Sequence, residues 1–507
     1  MSRDYPAEVD VVIVGSGPTG AAYARILSEQ APDATVAMFE VGPTVSDPPG
    51  SHVKNIADPE ARRAAQTRSE GPFGGAATVD NPGAVRAGDR RGRPGTYLLQ
   101  SGFQVDGEDG LPVAAFSSNV GGMAAHWTGA CPRPGGSERV GYLDDLDDLL
   151  SEAERLLGVT TDAFDGARFS TIVRERLAAA IDAGRTPEQR VQRMPLAVHR
   201  RADGRLVWSG SDAVFGEVTR ANANFALFDE SLVTRVIESD GRVSAVEVED
   251  RRSGQRHVVG ARFIVVAADA LRTPQLLWAS GIRPAALGRT LNDQSQVVFA
   301  TRLRDVEATV DSEAATAAGA LSEQSGVSWV PFTDEEPFHG QIMQLDASPV
   351  PLADDDPIAP GSIVGLGLFC AKDLQWDDRV EFSDDERDHY GMPAPAIHYT
   401  LTERDHADLD RARELVAVWA AALGDPLGDR PFTMPLGSSL HYQGTTRMGE
   451  VDDGSSVCSP ESEVWAMPGL FVAGNGVIPT STACNPTLTS VAFAVRGARR
   501  IAAELSA

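Results

Sequence analysis

VDVVIVGSGPTGAAYARILSEQ, Val9 to Gln30, limits the fold more than any other stretch of this chain. From Val9 to Val14 the residues are β-branched apart from Asp10, which suits a parallel strand buried on both faces. Gly15, Gly17 and Gly20 follow at once, and AAYARILSEQ then carries helical periodicity. A strand that passes through a glycine turn straight into a helix calls for an open, mostly parallel sheet. The first glycine permits the tight turn, the second lets backbone amides approach a pyrophosphate, and the third lets helix and strand pack closely. The helix N-terminus then faces the phosphates. A second strand, ATVAMFE, ends in Glu40, 25 residues after Gly15. An acid there binds ribose hydroxyls and disfavours a ribose phosphate. The ligand expected is an adenosine dinucleotide of the FAD or NAD type, and this motif does not choose between the two.

The remaining bulk properties exclude several functions. At 507 residues the chain exceeds one ordinary core; at about 150 residues per domain it holds roughly two to four units, whose segments need not be contiguous. Seventy-two acidic residues against 45 basic ones give a net charge of −27, which repels phosphate backbones and anionic lipids, so neither nucleic acid nor membrane is expected as a partner. Cys131, Cys370, Cys458 and Cys484 are widely spread with no CxxC pair, which indicates neither a metal site nor a disulfide framework and suits a reducing interior. The start of the chain lacks the regions of a signal peptide, and no window holds the ~18 uncharged apolar residues needed to span a bilayer, so a cytoplasmic location is expected.

The far end of the chain supplies a second ligand-facing helix. A short apolar strand, Leu470 to Ala473, runs into Gly474-Asn475-Gly476, and a helix follows Asn485-Pro486-Thr487, with proline just inside its start and Asn485 placed to act as N-cap. Upstream, VGGMAAHW ends a run of small residues in His126 and Trp127, and LGSSLHYQGTTRMG carries His441. Together with ALRTPQLLWASGI (Ala270 to Ile282) and GRTLNDQ (Gly288 to Gln294), these segments resemble, in order, the glucose-methanol-choline (GMC) family of FAD oxidoreductases. Within it, VGGMAAHWTGACPRP, LHYQGTTRMG and GNGVIPTSTACNPTLTS are similar to the pyranose oxidase branch, which includes bacterial C-glycoside oxidases.

That resemblance implies an α/β fold: a Rossmann-like FAD-binding domain of the GMC type, interleaved with an α+β substrate-binding domain. The FAD part is expected from residues 1–45, 95–135, 215–300 and 440–507, the last carrying the catalytic residues; the substrate part is expected from 136–214 and 301–439. Residues 46–94 read as a surface excursion or subunit-contacting arm, so an oligomer stays open. The resemblance also chooses FAD over NAD. By similarity, Gly15, Gly17, Gly20 and Glu40 hold the ADP portion, and Val233 touches it through its backbone. Gly474 and Asn475 lie against the ribityl and phosphate region, while Asn485, Pro486 and Thr487 meet the isoalloxazine. Gly121 and Gly122 let the backbone press close to the ring, Trp127 packs nearby, and Thr128 lies near N5 and O4.

Oxidising an alcohol with a flavin requires loss of the hydroxyl proton and transfer of the carbon-bound hydrogen as hydride to N5. Imidazole suits the first step, and His441 matches the family's catalytic histidine. Asn485, 44 residues later, matches a position that is histidine or asparagine in the family, and its amide can stabilise a developing alkoxide. His126 matches the histidine that bonds covalently to the flavin in pyranose oxidases. Here Ala124 and Ala125 replace hydroxylated residues, which leaves the covalent bond open, and Tyr442 and Gln443 depart from the family beside the base. No metal is expected. The function implied is an FAD-dependent oxidase of a sugar or glycoside, acting at the second or third ring carbon, with O2 (forming hydrogen peroxide) or a quinone as acceptor. The alternative is a GMC-type alcohol dehydrogenase acting on a non-sugar alcohol.

Two local features complete the reading. SLVTRVIES and RVSAVEVED, separated by Asp240-Gly241, have the alternation and turn of a hairpin, leading into the buried strand ARFIVVAADA. Residues 325–341 read as an aromatic and acidic loop that covers the substrate, with no site role given to Trp329 or His339.

Overall fold

Glu8–Val14 is a strand and Pro18–Gln30 a helix with proline in its first turn, the unit read at the start of the sequence. The computed structural model describes residues 4–71, 94–99, 102–306, 326–345 and 361–507. Glu8–Val14 lies between Val36–Phe39 and Arg256–Val266, parallel to both. Phe225–Phe228 extends the sheet beyond Val36–Phe39, and Leu470–Val472 pairs with Ile264–Val266, again in parallel. Ser231–Ser239 and Arg242–Asp250 form the expected antiparallel hairpin at the other edge. Its turn has φ +55° at Asp240 and +77° at Gly241, the doubly positive pair of a tight type I′ connection.

The helices Pro18–Gln30 and Thr487–Ser506 pack together on this sheet. Val12, Ile13 and Val265 from the strands, Ile26 and Leu27 from the first helix, and Val491 and Val495 from the last are fully buried in one core. Burial on both faces explains the unbroken apolar runs.

A second seven-stranded sheet is wholly antiparallel. Its order is Gly424–Pro426, Ser295–Leu303, Ile363–Cys370, Phe338–Leu345, Val327–Val330 and Gln192–Arg193, with Phe432–Thr433 also paired to Ser295–Leu303. The helix Glu403–Leu423 covers it, burying Leu409, Val416 and Trp419 against Val297, Leu366 and Leu368. The fold is thus mixed α/β, with one mixed and one antiparallel seven-stranded sheet.

The structure corrects the loop expected at 325–341. Val327–Val330 and Phe338–Leu345 are paired strands of the second sheet, and both are mostly buried. With both faces covered, the apolar residues do not alternate, so the period that marks a half-exposed strand is missing. Much of the excursion expected at 46–94 lies outside the described residues. Of its described part, Pro59–Ser69 is a helix, and His52 and Gln66 are buried against the segment of His126 and Trp127. No helix among the described residues is long and apolar enough to cross a membrane.

Candidate active site

A cavity of about 790 Å³ is lined by residues of both sheets. That volume lies within the roughly 300–1,000 Å³ typical of small-molecule sites. At the glycine turn, Gly15 has φ +100°, and a Cβ there would lie 2.3 Å from the Ala267 carbonyl oxygen. A Cβ on Gly20 would lie 2.1 Å from Gly15 O, whereas one on Gly17 would meet no atom within 4 Å, because Gly17 faces the cavity. The three glycines therefore do three different jobs: a turn, an opening and a close strand–helix approach.

Glu40 stands at the end of Val36–Phe39 and also faces the cavity. One carboxylate oxygen accepts from the Ser16 amide (3.1 Å) and hydroxyl (2.7 Å), and the other from the Gly42 amide (3.0 Å). Burial raises its pKa while these hydrogen bonds pull it down. The Ser16 hydroxyl in turn accepts from the Gly121 amide (3.0 Å), which brings the small-residue segment against the turn. Gly121 has φ +98°, and a Cβ on it would lie 2.8 Å from Gly50 Cα, so only glycine suits this junction.

Gly122, His126, Trp127 and Thr128 then line the cavity. The His126 ring is held at Nδ1 by Gln66 Oε1 (3.2 Å). The Gln66 amide nitrogen donates to Glu70, so its oxygen faces the imidazole and the ring proton sits on Nδ1. His126 Nε2 is buried with no protein partner, and burial pushes this imidazole down to about 4. A Cβ on Gly95 would lie 2.1 Å from His126 Cδ2 and 2.3 Å from Cγ, so the Gly95 backbone packs against that side of the ring. Trp127 Nε1 donates to Ser209 O, and its own carbonyl contacts His52 Nε2.

From the other end of the chain come Gly474, Asn475, Asn485 and Thr487. A Cβ on Gly474 would meet nothing within 4 Å. The helix Thr487–Ser506 begins with Pro486 as its N-cap residue, so the cap role expected of Asn485 is corrected. The Asn485 amide is turned away from the helix toward His441: its Nδ2 lies 3.4 Å from His441 Nε2, and its Oδ1 is buried without a protein partner. His441 follows Leu440, whose φ of +60° is a conformation that costs a branched residue energy and persists where surrounding packing imposes it. His441 Nδ1 lies 2.6 Å from Gln294 Oε1, and the ring leans on Phe369 with centroids 5.5 Å apart.

The structure therefore gathers Gly15, Gly17, Glu40, Gly122, His126, Trp127, Thr128, Val233, Gly474, Asn475, Thr487, His441 and Asn485 on one cavity. Gly20, Gly121 and Pro486 stand behind its wall and shape it. The sequence reading missed His339. This residue is fully buried, accepts at Nδ1 from Trp329 Nε1 (3.0 Å), and has an Nε2 with no protein partner of hydrogen-bonding geometry. Burial pushes it down to about 3, opposed by the neighbouring Asn485 amide. Gln294 and Glu138 were missed as well. Glu138 is almost wholly buried and accepts from the amides of Ala483 (2.7 Å) and Cys484 (2.9 Å), immediately before Asn485. All four cysteines are free and buried, and among the described residues no group of His, Cys, Asp and Glu could hold a metal ion.

These features suit an elongated dinucleotide whose ring system ends beside His441 and Asn485. Glycines open onto the cavity where a phosphate chain needs backbone approach, and buried polar atoms without a protein partner stand at His126 and Asn485 on its wall. The sequence matches the GMC oxidoreductase family over residues 139–296 and 377–494. It is 71% identical over 503 residues to a C-glycoside 3-oxidase of Arthrobacter globiformis, covering 99% of this chain and 96% of that protein. It is 34% identical over 546 residues to a pyranose 2-oxidase of Tricholoma matsutake, covering 98% and 94%. Among solved structures, pyridoxine 4-oxidase from Mesorbium loti superposes with a TM-score of 0.65 at 19% identity, covering 97% of this chain and 99% of that one, a likeness of fold.

Proposed function

The chain belongs to the GMC oxidoreductase family, and from that premise we propose that it is an FAD-dependent oxidase that converts the C3 hydroxyl of a glycoside to a ketone. The observation that carries this reading is the pairing of His441 Nε2 with Asn485 Nδ2, 3.4 Å apart, on the wall of one cavity. The 71% identity to a C-glycoside 3-oxidase supports the substrate class and the carbon attacked.

In this reading Gly17, Glu40 and Val233 hold the cofactor's nucleotide, Gly474 and Asn475 its phosphates and ribityl chain, and His126, Trp127 and Thr128 flank its ring system. Bound FAD would supply the two-electron acceptor for the carbon-bound hydride, with O2 or a quinone as the terminal acceptor. The protein's own residues handle the proton. His441 carries its hydrogen on Nδ1, against Gln294, so Nε2 presents a lone pair to the substrate hydroxyl. Asn485 Nδ2 donates to the same oxygen as negative charge develops on it, without competing for the proton. The products balance: one proton goes to His441, one hydride to the cofactor, and a C=O bond remains. Phe299, Met343, Phe432 and Met434 also face the cavity, an apolar wall suited to a sugar that carries an apolar substituent, while Gln341 offers an amide to its hydroxyls.

The flavin is held without a covalent bond in this reading, because Ala124 and Ala125 stand where the pyranose oxidase branch carries hydroxylated residues able to position the imidazole. The test is anaerobic mixing of the FAD-loaded protein with aryl C-glucosides, O-glucosides and free monosaccharides. Bleaching by a glycoside, with a ketone at C3 by NMR of the product, supports the proposal. Bleaching by none of them, or only by non-sugar alcohols, overturns it.

A further inference from the structure

We propose that Gln294 is a positioning residue for this oxidation: one carboxamide fixes which nitrogen of His441 carries the hydrogen and holds the segment carrying Asn485 at a set distance from it. The proposal rests on His441 being the base. Gln294 sits in the GRTLNDQ segment, just ahead of the strand Ser295–Leu303, and only 2% of it is exposed. Its Nε2 lies 3.0 Å from Thr482 O and 2.7 Å from Cys484 O. Both partners are carbonyls and can only accept, so the NH2 group must face them and Oε1 must face His441 Nδ1. An oxygen at 2.6 Å requires a hydrogen on Nδ1. Neutral imidazole has one hydrogen, so Nε2 keeps its lone pair toward the cavity.

The same segment is gripped from the opposite side. Glu138 accepts from the amides of Ala483 and Cys484, its other oxygen accepts from the Gly135 amide (2.8 Å), and Thr482 Oγ1 donates to Gln443 Oε1 (3.0 Å). Residues 482–484 thus have carbonyls bound to Gln294 and amides bound to Glu138, and Asn485 follows directly. Gln294 is the one side chain in this set that touches both the base and the segment bearing its partner. Three further titratable groups stand around the imidazole. Asp293, whose carboxyl takes hydrogen bonds from Ser439 Oγ and the Gly437 amide, is pushed up to about 6 by burial. His339 stands beyond Phe369 and is held neutral, and the Cys484 thiol is held protonated by burial.

Two variants of the FAD-loaded enzyme test this, with anaerobic flavin reduction by an aryl C-glucoside followed by stopped flow from pH 5 to 9. Gln294→Glu keeps an acceptor on Nδ1 but adds negative charge, which stabilises the imidazolium; the acid limb of the reduction rate should move up by about one pH unit or more. Gln294→Met keeps the length and removes both functions; reduction should slow about 10- to 100-fold at saturating glycoside, with FAD content unchanged. An unmoved acid limb in a FAD-loaded Gln294→Glu overturns the proposal, as does Gln294→Met reducing within threefold of wild type. If Gln294→Glu fails to take up FAD, Gln294→Met alone decides. Loss of FAD from both assigns Gln294 to the fold and also overturns the proposal. His441→Ala in the same series separates the two claims: if it reduces at the wild-type rate, the assignment of the base fails rather than that of Gln294.

Discussion

Replacing Gly17 and Gly20 separately by alanine separates what the glycine turn does for the ligand from what it does for the fold. Gly17 has φ −62° and ψ 177°, an extended conformation alanine adopts freely, and its new methyl would meet no protein atom within 4 Å. The apoprotein should therefore be unharmed, or gain about 0.4–1 kcal/mol from a less free unfolded chain. The methyl instead occupies space that the pyrophosphate needs. Overpacking of about 1–3 kcal/mol corresponds to an FAD affinity about 5- to 150-fold weaker. Gly20→Ala places its methyl 2.1 Å from the Gly15 carbonyl oxygen, so strand, turn and helix must shift. A clash near about 3 kcal/mol, offset by at most about 1 kcal/mol of helix propensity, leaves the apoprotein roughly 2 kcal/mol less stable. Denaturant unfolding of FAD-stripped protein and FAD titration by fluorescence quenching read the two effects. Gly17→Ala losing as much apoprotein stability as Gly20→Ala, or binding FAD as tightly as wild type, would refute the reasoning.

Three further expectations use other parts of the site. Glu138 is raised by burial from 4.5 to about 6 in the folded protein, so it favours the folded state most below pH 4.5 and that contribution is lost as pH rises through 6. Glu138→Gln should therefore gain on wild type by about 2 kcal/mol between pH 4.5 and 6, and parallel unfolding curves for the two proteins across that window would contradict this. Acid precipitation of the yellow holoprotein should leave the flavin in the supernatant, whereas a coloured pellet would show a bond to His126. Turnover with a glycoside in air should produce hydrogen peroxide; turnover only with a quinone or dye would identify a dehydrogenase.

The parts of this architecture that rest on neighbours in sequence were legible in the chain. The run from Val9 to Gly20 dictates its own strand, turn and helix, and Asp240-Gly241 dictates its own hairpin, because a few consecutive residues decide each φ and ψ. His441 and Asn485 were legible through motif resemblance, and they stand 3.4 Å apart. The wrong cap assignment for Asn485 has a simple origin: asparagine before proline and a helix suits capping, and only the fold places an imidazole within reach of the same amide. Gln294 and Glu138 were illegible for a different reason. Their contacts with Cys484 span 190 and 346 positions, and nothing local in GRTLNDQ or GGSER announces a partner so far away. His339 was hidden because a strand buried on both faces reads as an irregular apolar stretch.

Anaerobic flavin reduction in His441→Ala tests the central claim most directly. With the base removed and FAD still bound, reduction by a glycoside that bleaches the wild type should slow by about two to four orders of magnitude. Reduction at the wild-type rate would contradict the account.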